Sequence, residues 1–231
     1  MKTIGLIGGM SWESTAEYYR IINEAVREKL GGLHSAKIVM YSIDFEEVGK
    51  LQREGKWDEA TDLMIDAAKR VEKGGADFVL ICTNTMHKMA EDVAASINIP
   101  LLHIVDATAE KIIPLGFKKL GLLGSTFTME EDFYKGRLKE KYGLDVVIPG
   151  EADGQAVHNV IFGELCQGEI KDSSREQIKT IIKKLIDNGA QGIILGCTEL
   201  PLLVKQKDCP VPLFDTTAIH AKAAVDYAFK E

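Results

Sequence analysis

Two short loops in this chain carry residue types able to move a proton. Cys197, Thr198 and Glu199 follow the run Gly192-Ile193-Ile194-Leu195-Gly196, and Thr83, Asn84 and Thr85 follow Phe78-Val79-Leu80-Ile81-Cys82. A thiol at the junction of a buried strand and a new helix meets unpaired backbone N–H groups, which favour a thiolate and also bind carboxylate. An unperturbed thiol has a pKa of about 8.5, and lowering it by about one and a half units takes about 2 kcal/mol of differential stabilisation. A helix terminus and a hydroxyl neighbour are enough for that, so the spacing predicts an activated Cys197. The same position equally suits a small buried hydrophobe, since free cysteine is among the most buried residue types.

The two loops echo one another. Aligned from Gly75-Ala76 and Gly189-Ala190, Cys197 falls opposite Thr83 and not opposite Cys82. Neighbouring side chains in a strand point to opposite faces, so Cys82 is expected in the core while Thr83 takes the loop position. A second echo, Ile4-Gly5-Leu6-Ile7-Gly8-Gly9 against Leu120-Gly121-Leu122-Leu123-Gly124-Ser125, supports a duplication. Cys166, on an apolar helix, and Cys209, in a turn before Pro210, read as structural.

Other function classes are disfavoured. Gly8-Gly9-Met10-Ser11 lacks the G-x-G-x-x-G spacing of a dinucleotide site, and no phosphate-binding G-x-x-x-x-G-K-[ST] occurs. Its glycines would still let backbone amides approach a small carboxylate. A formal charge of −7 without a Lys/Arg block argues against nucleic acid. The apolar runs are strand-sized, far below the ~20 residues that span a membrane. Four cysteines without paired metal spacing are expected to be reduced thiols, and the protein is expected to be cytoplasmic. Among the histidines, His87 and His220 lie near the loops and are able to orient or protonate, whereas His34, His103 and His158 have no evident partner.

Short Val/Ile/Leu runs predict strands over 3–7, 36–42, 78–82, 101–104, 120–123, 145–148, 192–195 and 213–214. Helical spacing falls over 15–30, 56–73, 86–96, 107–114, 129–141, 154–166, 174–188 and 218–229. Strand alternating with helix gives an α/β fold with parallel sheets covered on both faces. Loop, short helix, proline and new strand recur near Ile99-Pro100 and near Pro210 to Pro212, which predicts one domain of residues 1–98 plus 211–231 and a second of 99–210. In such sheets ligands sit beyond the carboxyl ends of strands, where Gly8 to Ser11, Thr83 to Thr85, Ser125-Thr126 and Cys197 to Glu199 all fall.

Taken together, Gly8-Gly9-Met10-Ser11-Trp12-Glu13-Ser14, Thr83-Asn84-Thr85-Met86-His87 and Gly196-Cys197-Thr198-Glu199-Leu200 resemble the cofactor-independent aspartate/glutamate racemases over essentially the whole chain. The resemblance implies two pseudo-symmetric α/β domains with the active site between them, no pyridoxal phosphate, no metal, a small amino-acid substrate and a homodimer. It implies that Cys197 deprotonates the L-enantiomer, and that Met10, Gln52, Asn84, Thr85, Thr126, Thr198 and Glu199 contact substrate, Glu199 through the α-ammonium. The family usually carries a second cysteine before Asn-Thr; here Thr83 stands in that place. A hydroxyl is some seven units less acidic than a thiol, about 10 kcal/mol, so an unaided Thr83 is no resting base. It can hand a proton to a carbanion or hold a water that does. Arg53, His87, Lys88 and Lys205 are the candidates, by charge and neighbourhood, for a side-chain carboxylate.

Hydantoin racemases, maleate isomerases and arylmalonate decarboxylases also use cysteine at comparable loops and stay as alternatives, although the Asn-Thr loop and Gly-Cys-Thr-Glu together favour an amino-acid substrate. A non-catalytic binder of acidic amino acids is the alternative from another class.

Overall fold

A computed structural model describes residues 1–230. They form two compact units, one of residues 1–104 with 220–230 and one of 105–219. The sequence placed the crossings near Pro100 and Pro210. The second falls later because residues 213–215 pair into the second sheet instead of starting the return.

The first unit begins with β1 (Ile4–Gly8), α1 (Trp12–Leu30), β2 (Ile38–Ser42), α2 (Phe45–Arg53), α3 (Trp57–Lys73) and β3 (Phe78–Ile81). A 3₁₀ turn over Thr85–Met89 leads into α4 (Ala90–Ala95). Its sheet has the order β2-β1-β3, all parallel. The strand expected over 101–104 is a single parallel bridge, Val79 to Leu101, because α5 (Ile104–Ile112) starts at once.

The second unit continues through β4 (Lys119–Gly124), α6 (Thr126–Glu130), α7 (Asp132–Tyr142), β5 (Asp145–Val147), α8 (Glu151–Gly163) and α9 (Asp172–Asp187). It closes with β6 (Ile193–Gly196), α10 (Leu200–Leu203) and β7 (Leu213–Asp215), after which α11 (Thr216–Ala228) returns the chain to the first unit. The order β5-β4-β6-β7 is again parallel throughout. Substituting the Leu101 bridge for a fourth strand gives the first sheet the same order, which is the structural form of the sequence echo.

Alternation along the strands sorts the core of the first unit. Ile4 and Leu6 of β1 pack with Phe78, Leu80 and Cys82 against Tyr18, Ile22 and Val26 of α1 and Ala221, Ala224 and Val225 of α11. Ile7, Val79 and Ile81 face the other way, onto Val48 of α2 and Met64, Ala67 and Val71 of α3. Burying one Leu or Ile side chain contributes about 1.5–3 kcal/mol, so this alternation fixes the register firmly.

His220, fully buried on α11, is part of that packing. Its Nε2 lies 2.8 Å from the Leu102 carbonyl, which only accepts, so Nε2 carries the hydrogen and Nδ1 accepts from the Tyr18 hydroxyl at 2.9 Å. Burial holds its pKa down at about 4 against an ordinary 6.5, although the Leu102 carbonyl acts in the opposite sense. The unfolded chain therefore takes up a proton between those values while the folded one does not. Stability is fully present above about pH 6.5 and falls on acidification toward pH 4, by up to roughly 3 kcal/mol. Urea unfolding at pH 7 and pH 5 is expected to show this slope in the native protein and a flatter one in His220→Gln; equal slopes would assign the acid sensitivity elsewhere.

Candidate active site

A 2-1-3-4 strand order reverses direction beside its first strand, and in open α/β sheets ligands bind beyond the carboxyl ends of the strands at that switch. In the first unit the switch lies between β1 and β3, which end in Gly8-Gly9-Met10-Ser11 and Thr83-Asn84-Thr85. In the second it lies between β4 and β6, which end in Ser125-Thr126 and Cys197-Thr198-Glu199. Topology thus brings the sequence-predicted residues together within each unit, in one pair of loops apiece.

In the first unit the loop after β1 is locked by its own chain. Gly9 has φ +94°, and a Cβ there would stand 2.1 Å from the Ile43 carbonyl oxygen, so no other residue fits. Its N–H donates to Thr15 Oγ1 at 2.8 Å, and that hydroxyl donates to the Ser11 carbonyl at 2.8 Å. The Gly9 amide is thereby used within the loop. Met10 is buried beside this loop. Gln52 sits on α2, a helix that sequence periodicity missed, and its Nε2 approaches Met86 Sδ at 3.2 Å.

Thr83 is 9% exposed and Asn84 buried, while Thr85 is partly buried and opens the 3₁₀ turn. Cys82 is fully buried in the α1/α11 core, and burial pushes its thiol far up. His87 is not exposed at the loop but buried behind it, with Nδ1 2.7 Å from the Thr83 carbonyl. Two other charge candidates are engaged: Arg53 pairs with Glu46 at 2.5 Å, and Lys88 Nζ lies 3.9 Å from the centre of the Trp57 ring.

In the second unit Ser125 caps α6 by accepting from Thr128 N–H. Thr126 donates its N–H to His158 Nδ1 at 3.3 Å, and its hydroxyl lies 3.2 Å from the same nitrogen. That gives His158 a partner the sequence did not reveal. Partial burial lowers its pKa, opposed by the Glu130 charge.

Cys197 is 9% exposed and Thr198 and Glu199 are buried. The sulfur donates to Glu199 Oε2 at 3.1 Å, and Thr198 Oγ1 donates to the same oxygen at 2.7 Å. Burial first, and the Glu199 charge second, push the thiol well above its ordinary range. The Glu199 backbone N–H acts in the opposite sense, as expected of a helix start, but is outweighed, so the thiol is not lowered as the spacing predicts. At rest Cys197 is a thiol. Once ionised it is a stronger base than an ordinary thiolate, which suits it to a weakly acidic C–H. Among the described residues no group of three His, Cys, Asp or Glu side chains is arranged to hold a metal ion.

Two parallel sheets with a thiol–carboxylate loop and a hydroxyl–amide loop at the switch points define an α/β fold of racemase type. Residues 7–224 match the model of the Asp/Glu/Hydantoin racemase family. A Yersinia pestis protein described as a candidate Asp/Glu racemase is 54% identical, with a TM-score of 0.93 and each chain covered completely. An aspartate racemase homologue from Pyrococcus horikoshii is 39% identical, with a TM-score of 0.86 and complete coverage of both chains. The broad specificity amino-acid racemase RacX of Bacillus subtilis is 26% identical over 225 residues, 96% of each chain. The chain belongs to the Asp/Glu/hydantoin racemase family, and as such is an enzyme of the isomerase class.

Because the Glu199 charge helps hold the Cys197 thiol up, Glu199→Gln is expected to move the pH midpoint of Cys197 alkylation by iodoacetamide downward. Mass spectrometry of the residue-197 peptide reads it. An unchanged or raised midpoint would show that burial alone sets the thiol.

Proposed function

We propose that this enzyme is an amino-acid racemase for aspartate, glutamate or both, working in the cytoplasm without pyridoxal phosphate or metal and assembled as a homodimer. Cys197 removes the α-proton of the L-enantiomer, and Thr83, directly or through a water, returns one to the opposite face. Met10, Gln52, Asn84, Thr85, Thr126, Thr198 and Glu199 hold the substrate. The observation that carries this reading is the Cys197 to Glu199 hydrogen bond at 3.1 Å, a thiol tied to a carboxylate at the end of a central strand.

The electrostatics supply a sequence of events. In the free enzyme burial and the Glu199 charge together keep the thiol protonated. A substrate α-ammonium pairing with Glu199 offsets that charge and lowers the cost of the thiolate, whose proton passes to solvent as the amino acid is seated. The thiolate takes the Cα hydrogen and becomes a thiol again, the carbanion takes a proton from Thr83 or a water it holds, and solvent refills that donor with the equivalent of the proton first lost from sulfur.

The partnership is chemically unequal. A racemase cannot alter the equilibrium constant of unity, so kcat/KM must match in both directions, and only kcat and KM separately can differ between enantiomers. After swapping its hydrogen with solvent, the thiol returns a proton to the face it served, whereas the hydroxyl face is slow. L-Aspartate or L-glutamate in D2O is therefore expected to exchange its α-hydrogen faster than it inverts, followed by NMR and by chiral chromatography. Cys197→Ala should cut exchange by about 10²–10⁴-fold. Deuterium entering only in step with inversion would refute the inequality, and tight binding without exchange would make the protein a receptor.

Thr83→Cys is expected to raise turnover from the D-side. Cys82→Ala should keep activity while costing about 1 kcal/mol of stability through the small core cavity it leaves. Activity lost in Cys82→Ala but kept in Thr83→Ala would reassign the second position to Cys82.

A further inference from the structure

His87, which the proposed reaction does not use, stands immediately behind Thr83. It is 2% exposed, on the 3₁₀ turn Thr85–Met89. Its Nδ1 lies 2.7 Å from the Thr83 carbonyl and its Nε2 lies 3.1 Å from the Ile104 backbone nitrogen. A carbonyl only accepts and a backbone N–H only donates, so these two bonds dictate one state: Nδ1 carries the hydrogen, Nε2 offers its lone pair, and the ring is neutral. A proton added at Nε2 would point straight at the Ile104 N–H. The rings of His103, centred 4.5 Å away, and of His220, at 5.8 Å, pack against it. A ring with both nitrogens committed to main chain is not available to transfer protons to a substrate.

We propose that His87 is a positioning residue for Thr83: by holding the Thr83 carbonyl against the Ile104 amide, it places the group that delivers a proton on the face opposite Cys197. This rests on the reading that Cys197 and Thr83 serve the two faces of one Cα. The need for it follows from chemistry. A hydroxyl, or a water held by one, is a weak acid whose proton transfer depends on alignment, where an error of about 1 Å can cost about 10²-fold. The imidazole ties the loop to the segment at which the chain leaves the first unit, so Thr83 cannot drift with its own short turn.

Two substitutions separate the two bonds. In His87→Asn the side-chain amide N–H stands near the position of Nδ1 and keeps the donor to Thr83. In His87→Gln the amide reaches the position of Nε2, keeps the acceptor for Ile104 and loses the donor to Thr83. With L-aspartate or L-glutamate in D2O, inversion and α-hydrogen exchange are measured in the same sample, so any loss of folded protein cancels from their ratio. His87→Gln is expected to lower the ratio of inversion to exchange about tenfold, the effect of one hydrogen bond to the proton-delivering loop. His87→Asn is expected to restore most of it. A ratio unchanged in His87→Gln, or lowered equally in both variants, overturns the proposal, since a merely structural histidine would depress both rates together. Exchange that survives Cys197→Ala in parallel assays overturns it at a different point, by removing the two-face scheme itself.

Discussion

Within each sheet every strand is parallel to its neighbours, and that constraint organises the rest of each unit. Parallel neighbours cannot be joined by tight turns, so each strand must be followed by a helix that carries the chain back across a face. All strand-to-helix loops of a sheet then emerge at one end. The first and third strands of each unit are adjacent, and their loops are the ones rich in hydroxyl, amide and sulfur groups. Chemistry collects there because the chain leaves those two strands toward opposite faces of the sheet, α1 to one and α4 to the other in the first unit, which opens a crevice between their loops.

Within that frame the two loop pairs differ in electrical character. The second unit holds a thiol, a carboxylate and a hydroxyl sharing one oxygen, Glu199 Oε2. The first holds threonine and asparagine, braced from behind by a neutral imidazole. Burial raises the cost of charge on the sulfur, and the neighbouring carboxylate raises it further, so the resting state is uncharged at the thiol.

Much of this was legible in the chain itself. The alternation of short apolar runs with helical spacing gave the α/β class, and the echo between Ile4–Gly9 and Leu120–Ser125 anticipated two sheets of one order. The opposite facing of Cys82 and Thr83 followed from the two-residue period of a strand and is what the core shows. Other features were not legible because their causes lie far apart in sequence or are small. Helix α2 is nine residues with a glycine inside, too short for its period to stand out, and Gln52 was therefore placed on no element. The direction of the Cys197 shift depended on the rotamer of a carboxylate two residues away. The state of His87 depended on an amide seventeen residues on, which no local pattern encodes.

The first sheet stops short of its fourth strand, and that abbreviation has an effect of its own. In the second unit, β7 lays three residues along β6, and Thr216 Oγ1 closes the end by donating to the Leu195 carbonyl. In the first, pairing ends after Leu101, so the Leu102 carbonyl and the Ile104 amide are released from ladder duty and taken up by the imidazoles of His220 and His87. One copy of the repeated architecture thus keeps a sheet edge where the other has acquired an aromatic clasp around the departing backbone. Lengthening that strand by two residues would restore the symmetry and evict both rings from their hold on the main chain.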